Sequence, residues 1–157
     1  MNQTTKSLSL LIYFAICVQP NVHAQEITEA HKDSLTHIVT QYYKLSLQVY
    51  QQNSTRSDID KLFGLFTDDF EYVHPRYGGT YSRTDIYEGY VNNQENGAYN
   101  GTTVDIKVRN MIIGLNAVAT DRVYLNKDHA GALVEVDPGM TVFEFSDGKI
   151  SRIFEYW

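Results

Sequence analysis

Cysteine is almost absent from this 157-residue sequence, and its scarcity limits the chemistry available to the chain. The one cysteine, Cys17, lies in an N-terminal segment that we predict to be removed, so the remaining chain holds no thiol for a disulfide or a nucleophile. Basic residues are also few: 13 Lys and Arg face 19 Asp and Glu, giving a formal net charge of −6, and no run of five basic residues occurs. This composition argues against binding to nucleic acid or to an anionic membrane.

Motifs of common cofactor and metal sites are missing as well. There is no G-x-S-x-G nucleophile motif, no P-loop and no dinucleotide-binding fingerprint. His31 and His37 are six positions apart and do not share a helix face, while Asp68 and Asp69 have no histidine at metal-ligand spacing and are predicted to form a turn. We therefore expect no metal and no cofactor.

The first 24 residues predict a secretory signal peptide. A positive start at Lys6 is followed by the apolar run Leu8–Val18, which is shorter than the roughly 20 residues needed to span a bilayer. Small residues then precede Gln25, where we place the cleavage. The sequence thus predicts an exported protein, periplasmic or secreted, with one mature domain at residues 25–157 and no membrane association after cleavage.

Hydrophobic periodicity in the first half of the mature chain predicts three helices. The first covers roughly residues 26–51, and the second begins with Ser57 as its N-cap. Arg76–Ser82 has the composition of a loop, and Ser82 with Asp85 three positions later predicts the start of the third helix.

The second half reads as antiparallel strands. The continuously apolar Met111–Leu115 fits either a bulge or a strand buried on both faces. Asp137-Pro138-Gly139 interrupts one strand pattern, and Ser146–Lys149 is a hairpin turn. Two helices, a strand, a helix and four or five strands indicate an α+β fold.

The stretch Leu65–Pro75 is the most informative part of the sequence, and it predicts the end of a helix, an acidic turn at Asp68-Asp69 and a short strand stopped by a proline. Alternate side chains of a strand share a face, so Phe70, Tyr72 and His74 should point the same way and begin a pocket. In the alternative interpretation, His74 ends the strand and bonds a backbone carbonyl. Twelve tyrosines in the chain favour either cavity walls or an interface.

Two stretches carry a resemblance to a known superfamily. Ser57–Pro75, SDIDKLFGLFTDDFEYVHP, and Phe143–Trp157, FEFSDGKISRIFEYW, resemble motifs of nuclear transport factor 2-like domains, especially the SnoaL-like polyketide cyclase and ketosteroid isomerase branches. The resemblance implies a cone-shaped fold, in which three helices from the N-terminal half pack on a curved, mainly antiparallel sheet. It does not fix the reaction, because this superfamily holds enzymes, binding modules and assembly domains.

The isomerase roles map onto this sequence with changes. His74 stands where the isomerases have the aspartate that moves the proton, and Thr141 stands where they have an acidic residue that binds the enolate oxygen. Their helix tyrosine corresponds to Tyr43 if residues 51–56 are an insertion, and to Tyr50 otherwise. Two altered roles of three argue against a steroid isomerase.

The last strand offers a different pair of groups. The resemblance implies that Ile153, Glu155 and Trp157 face the cavity, with His74 across from Glu155. Such a His–Glu pair would serve general acid/base catalysis. In the alternative interpretation, Glu155 only forms a structural pair with an arginine or with His74. Asp121 and Arg122 point to opposite faces of their strand, so one of them can reach the pocket.

Three functional hypotheses follow. The first is a cofactor-independent isomerase, cyclase, dehydratase or hydrolase with His74, Glu155 and Tyr43 as catalytic residues. The second is a non-catalytic module that binds a small apolar or aromatic molecule. The third, compatible with both, is a homodimer formed through the outer sheet face that carries Phe154 and Tyr156. The candidate ligand contacts are Phe63, Phe70, Tyr72, Tyr90, Thr141, Phe143 and Trp157.

Overall fold

The computed structural model describes residues 27–128 and 130–157, so the predicted signal peptide lies outside the described residues. Three helices cover one face of a six-stranded sheet, which confirms the predicted α+β class. The helices are α1 (Glu29–Val49), α2 (Arg56–Phe63) and α3 (Arg83–Glu95). The strands are β1 (Phe66–His74), β2 (Gly79–Ser82), β3 (Thr103–Ile113), β4 (Ala117–Lys127), β5 (Leu133–Ser146) and β6 (Lys149–Tyr156).

Local capping groups set where the helices begin. Ser82 and Asp85 form the predicted capping box at α3: Asp85 accepts hydrogen bonds from the backbone and side chain of Ser82, at 2.8 and 2.6 Å. Helix α2 starts earlier than predicted, because Thr55 rather than Ser57 is its N-cap. Asp58 accepts hydrogen bonds from the Thr55 backbone N–H (2.9 Å) and hydroxyl (2.8 Å).

The sheet has the strand order β2-β1-β6-β5-β4-β3. Strand β1 runs parallel to β6, and every other neighbouring pair is antiparallel. The prediction of a loop over Arg76–Ser82 is wrong for its second part: after a 3₁₀ turn at Pro75–Tyr77, residues 79–82 pair with β1 as an edge strand. Asp68 and Asp69 lie inside β1, where its pairing with β6 is irregular, rather than in a turn.

Strand β3 is the other edge of the sheet. Its register with β4 shifts between Val108 and Asn110, so a bulge is present. The alternative that Met111–Leu115 is a strand buried on both faces is wrong, because β3 ends at Ile113 and the Ile112 side chain is 66% exposed. The helices cover only one face of the sheet, so side chains on its outer face, such as Ile112, have no packing layer.

Strand β5 continues through Asp137-Pro138-Gly139 by means of a β-bulge. Arg122 of β4 pairs with Gly139, whereas Tyr124 pairs with Val136, so β5 holds one extra residue between these two pairs. Asp137 takes a left-handed backbone conformation (φ 47°) at this point. The bulge turns a β5 carbonyl away from the regular ladder.

The core lies between the helices and the inner face of the sheet. Its fully buried members come from α1, α2 and the sheet and include Val39, Val49, Ile59, Leu62, Phe63, Val118, Phe143 and Ile150. The predicted hairpin turn joins β5 and β6, with Asp147 and Gly148 at positive φ. Of the helices in residues 27–128 and 130–157, none is long and apolar enough to cross a membrane.

Candidate functional site

A cavity of about 260 Å³, here called the central cavity, lies between the helices and the concave face of the sheet. Its walls are mostly aromatic, and one carboxyl from β6 lies among them. The lining residues are Tyr42, Tyr50, Phe66, Phe70, Tyr72, Asp85, Ile86, Gly89, Tyr90, Asn93, Tyr124, Ile153, Glu155 and Trp157. A cavity with apolar walls and few polar groups is the usual form of a small-molecule site.

Glu155 is held in the cavity wall by three donors. Its Oε2 accepts hydrogen bonds from Thr141 Oγ1 (2.9 Å), Trp157 Nε1 (2.9 Å) and Arg122 Nη2 (3.1 Å). Among the described residues, no hydrogen-bond donor reaches the second carboxyl oxygen, Oε1. The network therefore fixes the orientation of the carboxyl through one oxygen and leaves the other for a ligand.

Arg122 forms an ion pair with Glu155, and the β5 bulge allows the Arg122 side chain to be buried. The side chain is 1% exposed, and its Nη1 donates to the carbonyl of Asp137 at 2.7 Å. The guanidinium also stacks over Tyr124, 4.4 Å from the ring centroid. A buried arginine needs such partners, because an unpaired buried charge is costly.

Burial dominates the protonation of Glu155. Loss of solvent raises the pKa of this carboxyl above its ordinary value, and the charge of Arg122 and the hydrogen bonds of Thr141 and Trp157 oppose that rise. A carboxyl with a raised pKa exchanges protons closer to neutral pH than a solvated glutamate does. Glu155 is thus suited to accept a proton from a bound molecule and to return it.

The cavity tyrosines are hydrogen-bond donors at neutral pH. Burial raises the pKa values of Tyr50, Tyr72, Tyr90 and Tyr124. Charge interactions with neighbouring phenols add to the rise for the first three, whereas the charge of Arg122 opposes the rise at Tyr72 and Tyr124. Their hydroxyl groups therefore stay protonated and can donate to an oxygen of a bound molecule.

His74 is buried beside this site and does not line the central cavity. It is 2% exposed, and within the described chain neither ring nitrogen has a hydrogen-bond partner, so the alternative bond to a backbone carbonyl is not formed. The imidazole packs edge-on against Trp157 (4.7 Å between centroids) and beneath Tyr77 (4.3 Å). Burial lowers the pKa of His74. His74 thus contacts Trp157, whose indole donates to Glu155.

The other predicted site residues fall into two groups. Phe70, Tyr72, Tyr90 and Trp157 line the central cavity. The remaining four do not line it. Phe63 and Phe143 are core residues, and the buried Thr141 donates to Glu155. The Tyr43 hydroxyl shares a hydrogen bond of 2.6 Å with Thr120 Oγ1. Between the two alternatives for the helix tyrosine, the structure places Tyr50, and not Tyr43, in the cavity wall.

Sequence reasoning left open whether Asp121 or Arg122 reaches the pocket and gave an arginine as an alternative partner of Glu155; the structure has Arg122 in that place. Sequence reasoning missed the contribution of Tyr42 and Tyr124. The alternation Arg122, Tyr124, Asn126 along β4 places these side chains on one face, and that signal was available. Which face is inward depends on pairing with β5, which the bulge displaces by one residue. In residues 27–128 and 130–157, no group of three His, Cys, Asp or Glu side chains is arranged to hold a metal ion.

Solved structures with the same fold include bacterial proteins and an enzyme of polyether formation. An NTF2-like protein of Anabaena variabilis is 14% identical with a TM-score of 0.57, and the match covers 83% of this chain and 94% of that one. A putative polyketide cyclase of Xanthomonas campestris is 16% identical with a TM-score of 0.52, over 80% and 90% of the two chains. An epoxide hydrolase/cyclase-like enzyme of pyran ring formation in the polyether salinomycin is 19% identical with a TM-score of 0.55, over 80% and 92%. At these identities the likeness shows the fold alone.

Sequence comparison agrees with the fold. No curated protein matches this chain. The profile of the SnoaL-like domain matches residues 47–153, which include α2, α3, five complete strands and most of β6. The chain therefore belongs to the SnoaL-like domain family, and its fold is that of the NTF2-like protein of Anabaena variabilis.

Proposed function

We propose that this domain binds a small, largely apolar or aromatic molecule in the central cavity, and that Glu155 transfers protons to and from that molecule without a cofactor. The observation that carries the proposal is the carboxyl of Glu155 in an aromatic cavity wall, with Oε2 held by three donors and Oε1 without a protein donor. The reaction class is isomerisation, cyclisation, dehydration or hydrolysis.

Each part of the site has a role in such a reaction. Glu155 takes a proton from a C–H or O–H group and returns it at another position. Neutral tyrosine hydroxyls such as those of Tyr50 and Tyr90 donate to the oxygen on which negative charge develops. Arg122 is a positioning residue, because it orients the carboxyl and opposes its protonation.

His74 has a supporting role in this proposal. The sequence predicted direct acid/base catalysis by a His74–Glu155 pair, whereas Glu155 has Arg122 as its ionic partner. His74 packs against the indole that donates to Glu155, so it fixes the position of Trp157. The loss of His74 should therefore weaken activity without abolishing it.

A synthetic substrate that is cleaved when a base removes a proton from carbon tests the proton transfer. 5-Nitrobenzisoxazole opens when a base removes its C3 proton: the N–O bond breaks and a nitrile and a phenolate form. We expect cleavage by the wild type that rises with pH as Glu155 ionises, and a loss of about 100-fold or more in Glu155→Gln. Glu144→Gln, which alters a carboxylate on the outer face, is the matched control.

Binding is followed in the same variants through Trp157, the chain's single tryptophan, which lies in the cavity wall. Equal cleavage rates in wild type and Glu155→Gln would refute the catalytic proposal. Saturable quenching of Trp157 with no cleavage above buffer would favour the alternative, a non-catalytic binding module.

A second proposal concerns association through the outer face of the sheet. Five apolar residues stand side by side across five strands there, in register and on one face: Val73, Phe154, Val142, Ala119 and Ile112. Beside this row, Arg152 bridges Glu71 and Glu144. An apolar row bordered by charges suits a second copy of the chain, giving a homodimer.

Sedimentation velocity tests the homodimer. We expect the wild type to be a dimer at micromolar concentration and the Phe154→Glu variant to be a monomer. Lys149→Glu, at the exposed hairpin turn, should remain a dimer. A wild-type monomer under these conditions would rule the dimer out.

Export is also a proposal, and it rests on residues 1–24 of the sequence alone. Expression of the full chain in a bacterial host, followed by N-terminal sequencing of the exported fraction, should give Gln25 as the first residue. Full-length protein retained in the cytosol would contradict it.

A further inference from the structure

A second cavity of about 240 Å³, here called the side chamber, lies next to the central cavity. Tyr50 and Tyr124 line both spaces, and their rings meet edge to face with centroids 6.3 Å apart. The shared wall therefore includes two tyrosine side chains, one at the C-cap of α1 and one on β4. Side-chain rotation moves such groups without a change of fold. For Tyr124 the rotation gives up the stacking of Arg122 over its ring, so a bound ligand must offset that loss.

The side chamber is more polar than the central cavity, and its polar atoms include acceptors. Asn100, Thr103, Asn126 and Asp137 contribute to its lining. The side-chain oxygen of Asn126 is buried and, within the described residues, has no hydrogen-bond partner. Buried polar atoms nearly always have a partner, so the unpaired oxygen indicates a place for a ligand donor. Because the oxygen is covered, a donor reaches it only when a neighbouring side chain, such as that of Tyr124, turns.

A chain of hydrogen bonds at the β5 bulge also links the side chamber to Glu155. Asp137 lines the chamber, and its carbonyl accepts the hydrogen bond of Arg122, which in turn donates to Glu155. On β4, Arg122, Tyr124 and Asn126 alternate along one face, so the buried ion pair and the unpaired amide lie on either side of Tyr124. One ligand could thus contact both ends of this row.

We propose that the central cavity and the side chamber form one extended site for an elongated amphipathic molecule. Its apolar or aromatic body occupies the central cavity, and a hydroxyl group at its far end donates to the side-chain oxygen of Asn126 in the side chamber. The rings of Tyr50 and Tyr124 turn aside to admit the connecting chain. The inference rests on the proposed function, because the central cavity must bind the body of the same molecule.

Three probes test this inference by titration of Trp157 fluorescence, with calorimetry as a second readout. Benzyl methyl ether fits the central cavity alone, whereas 6-phenylhexan-1-ol and its methyl ether are long enough to reach the side chamber. We expect the alcohol to bind the wild type about fivefold more tightly than its methyl ether, which corresponds to one net hydrogen bond.

Variants assign that preference to the side chamber. Asn126→Leu should remove the preference for the alcohol, and Asn126→Asp, which keeps an acceptor, should retain it. Ala98→Trp fills the chamber from an exposed lining position and should weaken both long probes at least about fivefold. Ala132→Trp, at an exposed alanine that lines neither cavity, is the control. Both of these variants are titrated by calorimetry alone, because each adds a second tryptophan. Unchanged affinity for benzyl methyl ether shows that each variant is folded.

The outcomes separate this inference from the proposed function. If benzyl methyl ether binds but the alcohol and its methyl ether bind equally, or if Asn126→Leu keeps the preference, the extended site is wrong and the central cavity stands. If no probe binds the wild type, the proposed function fails and the extended site fails with it.

Discussion

Replacing Arg122 by methionine tests the energetics of the buried network directly. The guanidinium donates to Glu155 and to the Asp137 carbonyl, and the side chain is 1% exposed. Methionine keeps much of the length and removes the charge, which leaves Glu155 buried with the hydrogen bonds of Thr141 and Trp157 alone. Breaking a buried ion pair from one side costs about 3–5 kcal/mol. That is a large part of the roughly 5–15 kcal/mol that stabilises a typical domain.

The cost should depend on pH, with a sign fixed by Glu155. Burial already raises the folded-state pKa of Glu155 above its ordinary 4.5, and loss of the opposing Arg122 charge raises it further. A carboxyl with a raised folded-state pKa contributes stability that is fully present below the unfolded pKa and is lost as pH rises through the folded pKa. The penalty of Arg122→Met is therefore largest near pH 7 and shrinks as pH falls toward 4.5.

Urea unfolding followed by far-UV circular dichroism, at pH 7 and pH 5, measures both effects. The matched control is Arg152→Met: Arg152 also contacts two carboxylates, Glu71 and Glu144, but its side chain is 41% exposed and its loss should cost under about 1 kcal/mol. The double variant Arg122→Met/Glu155→Gln should recover part of the stability at pH 7. Equal penalties for the two arginine variants, or an Arg122→Met penalty as large at pH 5 as at pH 7, would refute the reasoning.

Four further substitutions separate effects on stability from effects on the cavity. Tyr43→Phe removes the hydrogen bond to Thr120 and should cost about 1 kcal/mol in urea unfolding while probe affinity stays unchanged, because Tyr43 does not line the central cavity; weaker probe binding would contradict this. Burial lowers the folded-state pKa of His74 below 6.5, so the unfolded chain binds this proton more readily and protonation favours unfolding. The free energy of unfolding of His74→Phe should therefore fall less between pH 6.5 and pH 5 than that of the wild type. Parallel curves of stability against pH would contradict this. Gly139→Ala should destabilise the protein and shift the Trp157 emission maximum, because the new Cβ would lie 2.7 Å from the Trp157 Cβ. Gly89→Ala lies inside α3 and its new Cβ meets nothing within 4 Å, so this change should stabilise the protein by about 0.5–1 kcal/mol. Similar effects of the two changes in urea unfolding would count against this packing argument.

Features set by a few neighbouring residues could be predicted from the sequence. The capping box of Ser82 and Asp85 is a local arrangement of hydrogen bonds, and the hairpin at Ser146–Lys149 depends on two turn residues. The two-residue period of a strand likewise puts Ile153, Glu155 and Trp157 on one face, and the superfamily resemblance assigned that face to the cavity, where all three lie. The superfamily resemblance added the cone architecture.

Features set by pairing between distant strands could not be predicted. Arg122 reaches Glu155 because β4, β5 and β6 align with one residue of β5 bulged out, and Asp137-Pro138-Gly139 in the sequence does not distinguish a bulge from a turn. The choice between Tyr43 and Tyr50 depends on where α1 ends relative to the sheet, which is a tertiary property. Strand β2 was missed because it has only four residues and pairs on one side alone.

The parallel pairing of β1 with β6 has a consequence for how the protein folds. The Glu71 and Arg152 side chains that meet across this pair are 81 positions apart, whereas β3, β4, β5 and β6 join their neighbours through short connections. Because closing a long loop costs entropy before any contact repays it, we expect β3–β6 to pair first and β1 to dock afterwards. Phe70 and Tyr72 approach the cavity from β1, and Glu155 and Trp157 approach it from β6, so the cavity is completed at this late step. A bound molecule should therefore protect the amides of the β1–β6 junction from hydrogen exchange more than those of the β3–β4 hairpin.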